Sequence, residues 1–560
     1  MHLNHRQDRR SGMIAAALTV LAFAVVMCAG MAVPAHAQTP TTLHAFKEIP
    51  TDACLPEDNI VQGRDGYMYG IGGTCGANGT GAVYKISPSG AESVVYNFPS
   101  DFANCFSGLT IGSDGNYYGT CFTTPTGNGS IFQLTPAGVF TDKYDFTGAY
   151  GDTEPLYAPI QATNGDFYGT TGYYPYTCGN VYQLTAAGVY KNLHTFTGND
   201  CGPASSLFQA SNGDLYGTLY ECNINGFGPG CVYQISTTGV FKEIYGFAAT
   251  TGDGVCTGVI QGKNGKLYGA TNAGAANNVG NIYELTTAGV YTDLHAFDQA
   301  TDASCVDNVG RTNVNLTQVT DGSFYGVNGA YGADGGGSIY KLTSANVFTA
   351  FLFPNPPVDG DLPLSTLLQN TNGLLYGTTP SGGPTSCSPC QGVFFSVATG
   401  DAPFVNLEPT QRTGFVGASV GMFGQGFSSA SKVEFGGVAA ASVTVTGTTY
   451  LTTEVPAGAH TGTVTVTTGA TTLTSPQTYK VKPKFTSFTP PSGPVGTSVT
   501  ITGTGLVQTT KVTFDKIVAS FTVVSDSEIT ATVPAGAGTG KIAITTKGGS
   551  ASSSTSFTVN

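Results

Sequence analysis

One short phrase returns seven times along the chain: "DGYMYG" (65–70), "DGNYYG" (114–119), "NGDFYG" (164–169), "NGDLYG" (212–217), "NGKLYG" (264–269), "DGSFYG" (321–326) and "NGLLYG" (372–377). The period is about fifty residues, the range of propeller and solenoid units. Each copy is preceded by an apolar run such as "APIQAT" (158–163). Each is followed by a Gly-rich stretch, an alternating segment such as "GNIYELT" (280–286), then "AAGV" or "TAGV", and a segment such as "KNLHTF" (191–196). Every unit thus offers four short strands, A to D. Asn-Gly or Asp-Gly closes the A–B hairpin, because these residues accept the positive φ of a tight turn. Four antiparallel strands make one propeller blade. A lone blade leaves both faces bare, whereas seven stacked around an axis bury them and protect most edges. The Tyr-Gly pair recurs in every copy, which marks packing: the aromatic lies between blades and the glycine permits close approach.

These repeats resemble the GloVer-type tandem repeat family of exported bacterial proteins, whose pattern is "YGTT…G…G.VYKLTP.G". The resemblance covers residues 41 to 400, with departures at "YGVNGAYG" and "YGATNAG". It implies a surface or extracellular setting and no known reaction.

After residue 400 the cysteines stop and Thr, Val, Gly and Ser dominate. A second duplication appears: "FVNLEPTQRTGFVGASVGMFGQGF" (404–427) aligns with "FTSFTPPSGPVGTSVTITGTGL" (485–506), and "TTEVPAGAHTGTVTVTT" (452–468) with "TATVPAGAGTGKIAITT" (530–546). Short alternating strands between Gly/Pro turns predict two β-sandwiches. The second unit resembles the IPT/TIG domain almost throughout. The first departs from it where Gln411-Arg412-Thr413 stands against Pro491-Ser492-Gly493, and where Met422 interrupts a strand. That resemblance implies immunoglobulin-like spacers without catalytic residues.

Since "FVNLEP" (404–409) opens a sandwich, the seventh blade lacks its D strand. "TTLHAF" (41–46) nearly repeats the D strand "TDLHAF" (292–297), so it is expected to pair with "GVFFSV" (392–397) and close the ring. The expected fold class is all-β: a seven-bladed β-propeller closed by an N-terminal strand, followed by two immunoglobulin-like β-sandwiches. The expected division is a signal peptide at 1–37, the propeller at 38–400, and sandwiches at 401–481 and 482–560.

The leader reading rests on Arg6, Arg9 and Arg10, an apolar run from Met13 to Val33, and Ala35-His36-Ala37. Its removal takes three arginines and one aspartate, moving the formal charge from −13 to −15. So acidic a chain has no basic stripe, and no nucleic-acid partner is expected. No later segment is apolar enough to span a bilayer, so no membrane insertion is expected after cleavage.

Twelve of the 13 cysteines remain after Cys28 leaves, an even number that favours disulfides in an exported protein. Cys54–Cys75, Cys105–Cys121 and Cys201–Cys222 each join a D–A residue to a B–C residue of one unit. Cys256–Cys305 and Cys387–Cys390 are further candidates, and Cys178 and Cys231 are unassigned. Cys387-Ser-Pro-Cys390 lacks the helix N-terminus or second pair that redox or zinc chemistry asks for, so no metal or cofactor is expected.

The A–B and C–D turns share one propeller face and are short and alike. The B–C and D–A loops share the other, and are long and individual, as binding loops are. There "GYYPYT" (172–177) gathers Tyr173, Tyr174 and Tyr176, which can stack on sugars or anchor a protein surface. Asp152, Glu154, Asp334, Asp359 and Asp361 are on the same face without the spacing of a calcium loop. His44, His194 and His295 share one D-strand slot and are read as structural. No G-x-S-x-G or H-E-x-x-H motif occurs. The expectation is a non-enzymatic binding or adhesion protein for an extracellular glycan or protein. The alternative is a polysaccharide hydrolase or lyase with paired carboxylates at the axis.

Overall fold

The computed structural model describes residues 39–560 except 48–51, 57, 74–75, 103, 106, 173–176, 199, 223–228, 256, 299–314, 330–335, 354–357 and 385–389. Pro40 to Asn560 form one compact unit. The leader and its cleavage site lie outside the described residues.

The third repeat shows the plan. Strands Ile160–Gln161, Phe167–Thr171, Asn180–Leu184 and Tyr190–Thr195 pair antiparallel in that order. Gly165, after Asn164, takes φ +91° in the A–B turn, the left-handed conformation that the Asn-Gly signal calls for. Among the described residues, seven sheets of this plan lie between Thr41 and Val397. The fourth and fifth carry one extra strand each, Cys201–Pro203 and Asp253–Val255, paired with the far end of strand B.

Geometry explains the Tyr-Gly repeat. The strand-B glycine sits opposite a strand-C aromatic, as Gly169 sits opposite Tyr182. A Cβ on Gly70, Gly169, Gly217, Gly269 or Gly326 would fall 2.3–2.5 Å from the phenol oxygen of Tyr84, Tyr182, Tyr233, Tyr283 or Tyr340 respectively. Only a residue without a side chain lets that ring lie across the strand. The tyrosine before the glycine is buried toward the next blade: Tyr69 stacks on Tyr117 at 4.2 Å, Tyr268 on Phe324 at the same spacing.

Successive sheets are joined by buried apolar clusters, and one of these closes the ring, uniting Tyr376 and Phe394 of the last sheet with Met68, Tyr84 and Ile86 of the first. A polar ladder runs beside them. The backbone N–H groups of Ser113, Thr163, Ser211, Lys263, Thr320 and Thr371 donate to the side-chain oxygens of Gln161, Gln209, Gln261, Gln318, Gln369 and Gln62, each on strand A of the following sheet. Thr41–Lys47 pairs antiparallel with Cys390–Val397, Thr42 opposite Phe395 and Ala45 opposite Val393. The N-terminal strand therefore completes the last sheet, with Phe46 fully buried against the first.

Beyond residue 400 stand two sandwiches of a four- and a five-stranded sheet each. Their cores are separate: Val405, Met422, Phe435, Val464 and Tyr479 in the first, and Ile501, Phe514, Ile529, Ile544 and Phe557 in the second. Met422 does not interrupt its strand, being fully buried within Ser419–Phe423. The parallel strand pairs correct the alignment by one residue: Thr413-Gly414 runs beside Lys480-Val481 as Ser492-Gly493 runs beside Thr558-Val559. Among the described residues no helix is long and apolar enough to cross a membrane.

Candidate functional site

The two propeller faces have different fates. On the short-turn face the first sandwich is docked through Arg64, in the A–B turn of the first sheet. The guanidinium donates from Nε (3.0 Å) and Nη2 (2.6 Å) to Oε1 of Glu408, and from Nη2 to the Ser113 carbonyl at 2.8 Å. It also lies 4.6 Å from the ring centre of Tyr450, whose hydroxyl donates to the same Glu408 oxygen. Thr449 donates to the Arg64 carbonyl, Gln425 to Thr371 Oγ1, and the Thr371 hydroxyl to the Gly424 carbonyl. Glu408 is only 3% exposed, so this carboxylate is buried by the contact.

Beside it, at the inner strands of the first three sheets, is a cavity of about 240 Å³ lined by Val61, Leu109, Ile111, Ile160, Gln161 and Glu408, among others. It opens where the glutamine ladder fails, since Ile111 occupies the strand-A position that holds Gln62, Gln161 and their counterparts. Among the described residues lining it, the carboxylate is Glu408, already neutralised by Arg64. Nearer the other face, the Asn315 amide of the sixth sheet reaches Ser206 of the fourth at 3.4 Å. That contact between sheets that are not neighbours leaves the ring's centre narrow there.

The long-loop face carries the cysteines. Cys105 and Cys121 are joined within the second sheet. Cys54 is disulfide-bonded, and its expected partner Cys75 lies outside the described residues. The expected Cys201–Cys222 pair is replaced by Cys178–Cys201 and Cys222–Cys231. Register gives the reason. Cys201 stands opposite Glu221, so its side chain shares a face with that residue and Cys222 points to the other side of the pleat. Cys201 instead meets Cys178 of the preceding repeat's B–C loop and ties two repeats together. Cys256, Cys305 and Cys387 lie outside the described residues, as does the side chain of Cys390.

Tyr173, Tyr174, Tyr176 and Asp334 also lie outside the described residues. The other acidic candidates are scattered and locally engaged. Asp152 accepts from the Thr147 amide and hydroxyl and from the Tyr190 hydroxyl, and Glu154 from the Thr177 hydroxyl. Asp359 offers its carbonyl to Thr42. Asp361, bridged through its backbone to Ser381, has its carboxyl raised by burial.

The D-strand histidines divide. His194 stacks on Phe241 at 4.1 Å and His295 on Phe348 at 3.7 Å, the structural slot that the repeat predicts. His44 has no such aromatic before it. Its Nε2 is 3.7 Å from Asp52 Oδ1, and Glu92 stands close to both. Burial first, and the Asp52 carboxylate second, push the Glu92 carboxyl up to about 8. The signal was present in the sequence: Glu92 occupies the place of Phe140, Tyr190, Phe241, Tyr291 and Phe348 in the other repeats.

A closed ring of repeat-built sheets followed by sandwiches defines a β-propeller protein with immunoglobulin-like appendages. The chain belongs to the Gloeobacter/Verrucomicrobia repeat family, whose model matches residues 124–317 and 227–407, 284 of 560 positions together. An IPT/TIG domain matches residues 483–559. No curated protein matches the chain. Similar solved structures include a virginiamycin B lyase from Staphylococcus aureus (15% identity, TM-score 0.40, 61% of this chain and 94% of that one). A fungal alcohol oxidase of the AA5 family in complex with copper (12%, 0.43, 94% and 100%) and a puromycin hydrolase (10%, 0.42, 70% and 62%) are others. Similarity at this level says nothing of chemistry.

Proposed function

We propose that the protein is exported, its leader removed after Ala37, and that it binds an extracellular glycan or protein through the long-loop face of the propeller. The division at 38–400, 401–481 and 482–560 belongs to this reading, with the sandwiches as spacers. One observation carries it: the first sandwich is docked on the short-turn face, so the individual, disulfide-tied loops are left on the face opposite the attachment. Disulfides persist in oxidising compartments, in keeping with export. Tyr173, Tyr174 and Tyr176 are the proposed contacts, as amphipathic rings that order at low entropic cost. The rival hydrolase or lyase needs two carboxylates about 5–10 Å apart, whereas the described lining of the axial cavity offers Glu408 bound to Arg64. The test is glycan-array and cell-surface binding by the full chain and by the Tyr173→Ala/Tyr174→Ala/Tyr176→Ala variant. Loss of signal with an unchanged melting temperature supports the reading. Binding that survives the triple substitution refutes the tyrosine site, and polysaccharide cleavage by the chain refutes the non-enzymatic assignment.

A further inference from the structure

At five of the seven joints between neighbouring sheets an aromatic or histidine next to the end of one D strand meets the first residue of the next D strand. Tyr96 stacks on Phe140, Tyr144 on Tyr190, His194 on Phe241, Tyr245 on Tyr291 and His295 on Phe348. The joint between the second and third sheets adds a polar partner. Asp152 accepts the Thr147 N–H on Oδ2 and the Tyr190 hydroxyl on Oδ1. The joint where the ring closes reproduces half of this. Asp52 Oδ2 accepts the Lys47 N–H at 3.0 Å, five residues back as in the other joint. In place of the tyrosine stands Glu92, and no hydrogen bond joins its carboxyl to Asp52 Oδ1.

The consequence is a cluster of facing polar atoms that nothing on the neighbouring strands matches. His44 Nε2, Asp52 Oδ1 and Glu92 Oε1 are each buried without a hydrogen-bond partner, and the potential ligand atoms of the three residues lie within 4.8 Å of one another. Asp52 is 5% exposed and aims that unpartnered oxygen at the other two. Leaving buried polar atoms unmatched is costly, and the repeat had a hydroxyl available to avoid it. We propose that His44, Asp52 and Glu92 form a binding site for a divalent transition-metal ion of the Zn²⁺ type, which clasps the closing strand to the first sheet. One imidazole and two carboxylates are a ligand set for that class rather than for calcium, which takes six to eight oxygens. Ligand atoms around tetrahedral zinc stand about 3.3 Å apart, so the 3.7 Å between His44 and Asp52 is near that spacing and Glu92 has only a short way to move. The backbone N–H of Lys47 holds Asp52, and that of Ala53 holds Glu92, as outer-shell donors do. Neither a cysteine pair, calcium-loop spacing nor an H-E-x-x-H helix marks this site in the sequence. The ligands instead come from the closing segment, His44 and Asp52, and from Glu92 of the first sheet, which meet only when the ring closes.

The test uses the full chain stripped with a chelator, then titrated with Zn²⁺ against a chromophoric competitor, with bound metal counted after dialysis. One equivalent of Zn²⁺ and a raised melting temperature are expected. Glu92→Tyr, which restores the repeat's residue and gives Asp52 its donor, should keep the fold and weaken Zn²⁺ binding at least about 100-fold, since a ligand is lost and not merely an outer-shell partner. Asp52→Asn, which retains shape, should weaken it similarly and serves should the first variant fail to fold. Absence of stoichiometric Zn²⁺, unchanged affinity in both variants, or displacement of Zn²⁺ by equimolar Ca²⁺ overturns the proposal.

Discussion

Replacing Arg64 by alanine probes the joint between propeller and sandwich. The substitution removes both charge-assisted hydrogen bonds to Glu408, the bond to the Ser113 carbonyl and the stacking on Tyr450. Glu408 stays buried at 3% exposure with only the Tyr450 hydroxyl as a side-chain donor. Breaking a buried ion pair from one side costs about 3–5 kcal/mol. The Arg64 side chain is 26% exposed, so water partly compensates and a smaller cost, about 2–4 kcal/mol, is expected. Loss of the cation–π contact is included in that figure. Because each sandwich has its own core, the cost should appear as uncoupling: chemical denaturation that melts propeller and first sandwich together should split into two transitions. Arg64→Lys should recover little, since an ammonium cannot present the same planar fork. Adding Glu408→Gln should recover much of the loss by removing the stranded charge, and a double-mutant cycle measures this coupling. A cost below about 0.5 kcal/mol for Arg64→Ala, or one abolished by moderate salt, would show a solvated surface pair and refute the reasoning.

Gly217→Ala places a Cβ 2.4 Å from the Tyr233 hydroxyl in a fully buried joint, and should cost about 1–3 kcal/mol or more in thermal denaturation. Tyr233→Phe should be neutral or stabilising, because that hydroxyl is buried without a partner and Phe132 and Phe395 fill the same slot elsewhere; a loss above about 1 kcal/mol would reveal an unseen donor or acceptor. Phe46→Ala should cost about 3–5 kcal/mol, the range for a fully buried phenylalanine. Deleting residues 38–47 should abolish the propeller's transition while the sandwiches still unfold cooperatively, since it bares Cys390–Val397 as an open edge.

How much of this was legible in the sequence follows from what a repeat can encode. Positions that obey the period report packing: Tyr69-Gly70 and its counterparts, the Asn-Gly turns, and even the orphan strand Thr41–Lys47, which could be placed because it copies "TDLHAF". Pairing across strands was less legible. Cys201 and Cys222 looked equivalent to Cys105 and Cys121 by position in their repeat, but an offset of one residue turns a side chain to the other face of a sheet. The docking of the first sandwich was not read at all, because its contacts join residues such as Arg64 and Glu408, 344 positions apart and in unlike units.

The individual chemistry of the molecule lies where the period is broken. Arg64 stands where five other units have Ser113, Thr163, Ser211, Thr320 or Thr371 and one has Lys263, and there the guanidinium docks the sandwich through Glu408. Ile111 stands where they have glutamine, and there the axial cavity opens. Glu92 stands where they have an aromatic, and there a half-buried imidazole faces two carboxyl groups. His44 adds a qualification. It obeys the repeat, matching His194 and His295, yet its surroundings differ because its neighbour departs. A residue's role in such a ring is thus set by the blade it meets as much as by its own place in the period, so a departure must be traced across the joint before the conserved-looking residue opposite is dismissed as packing.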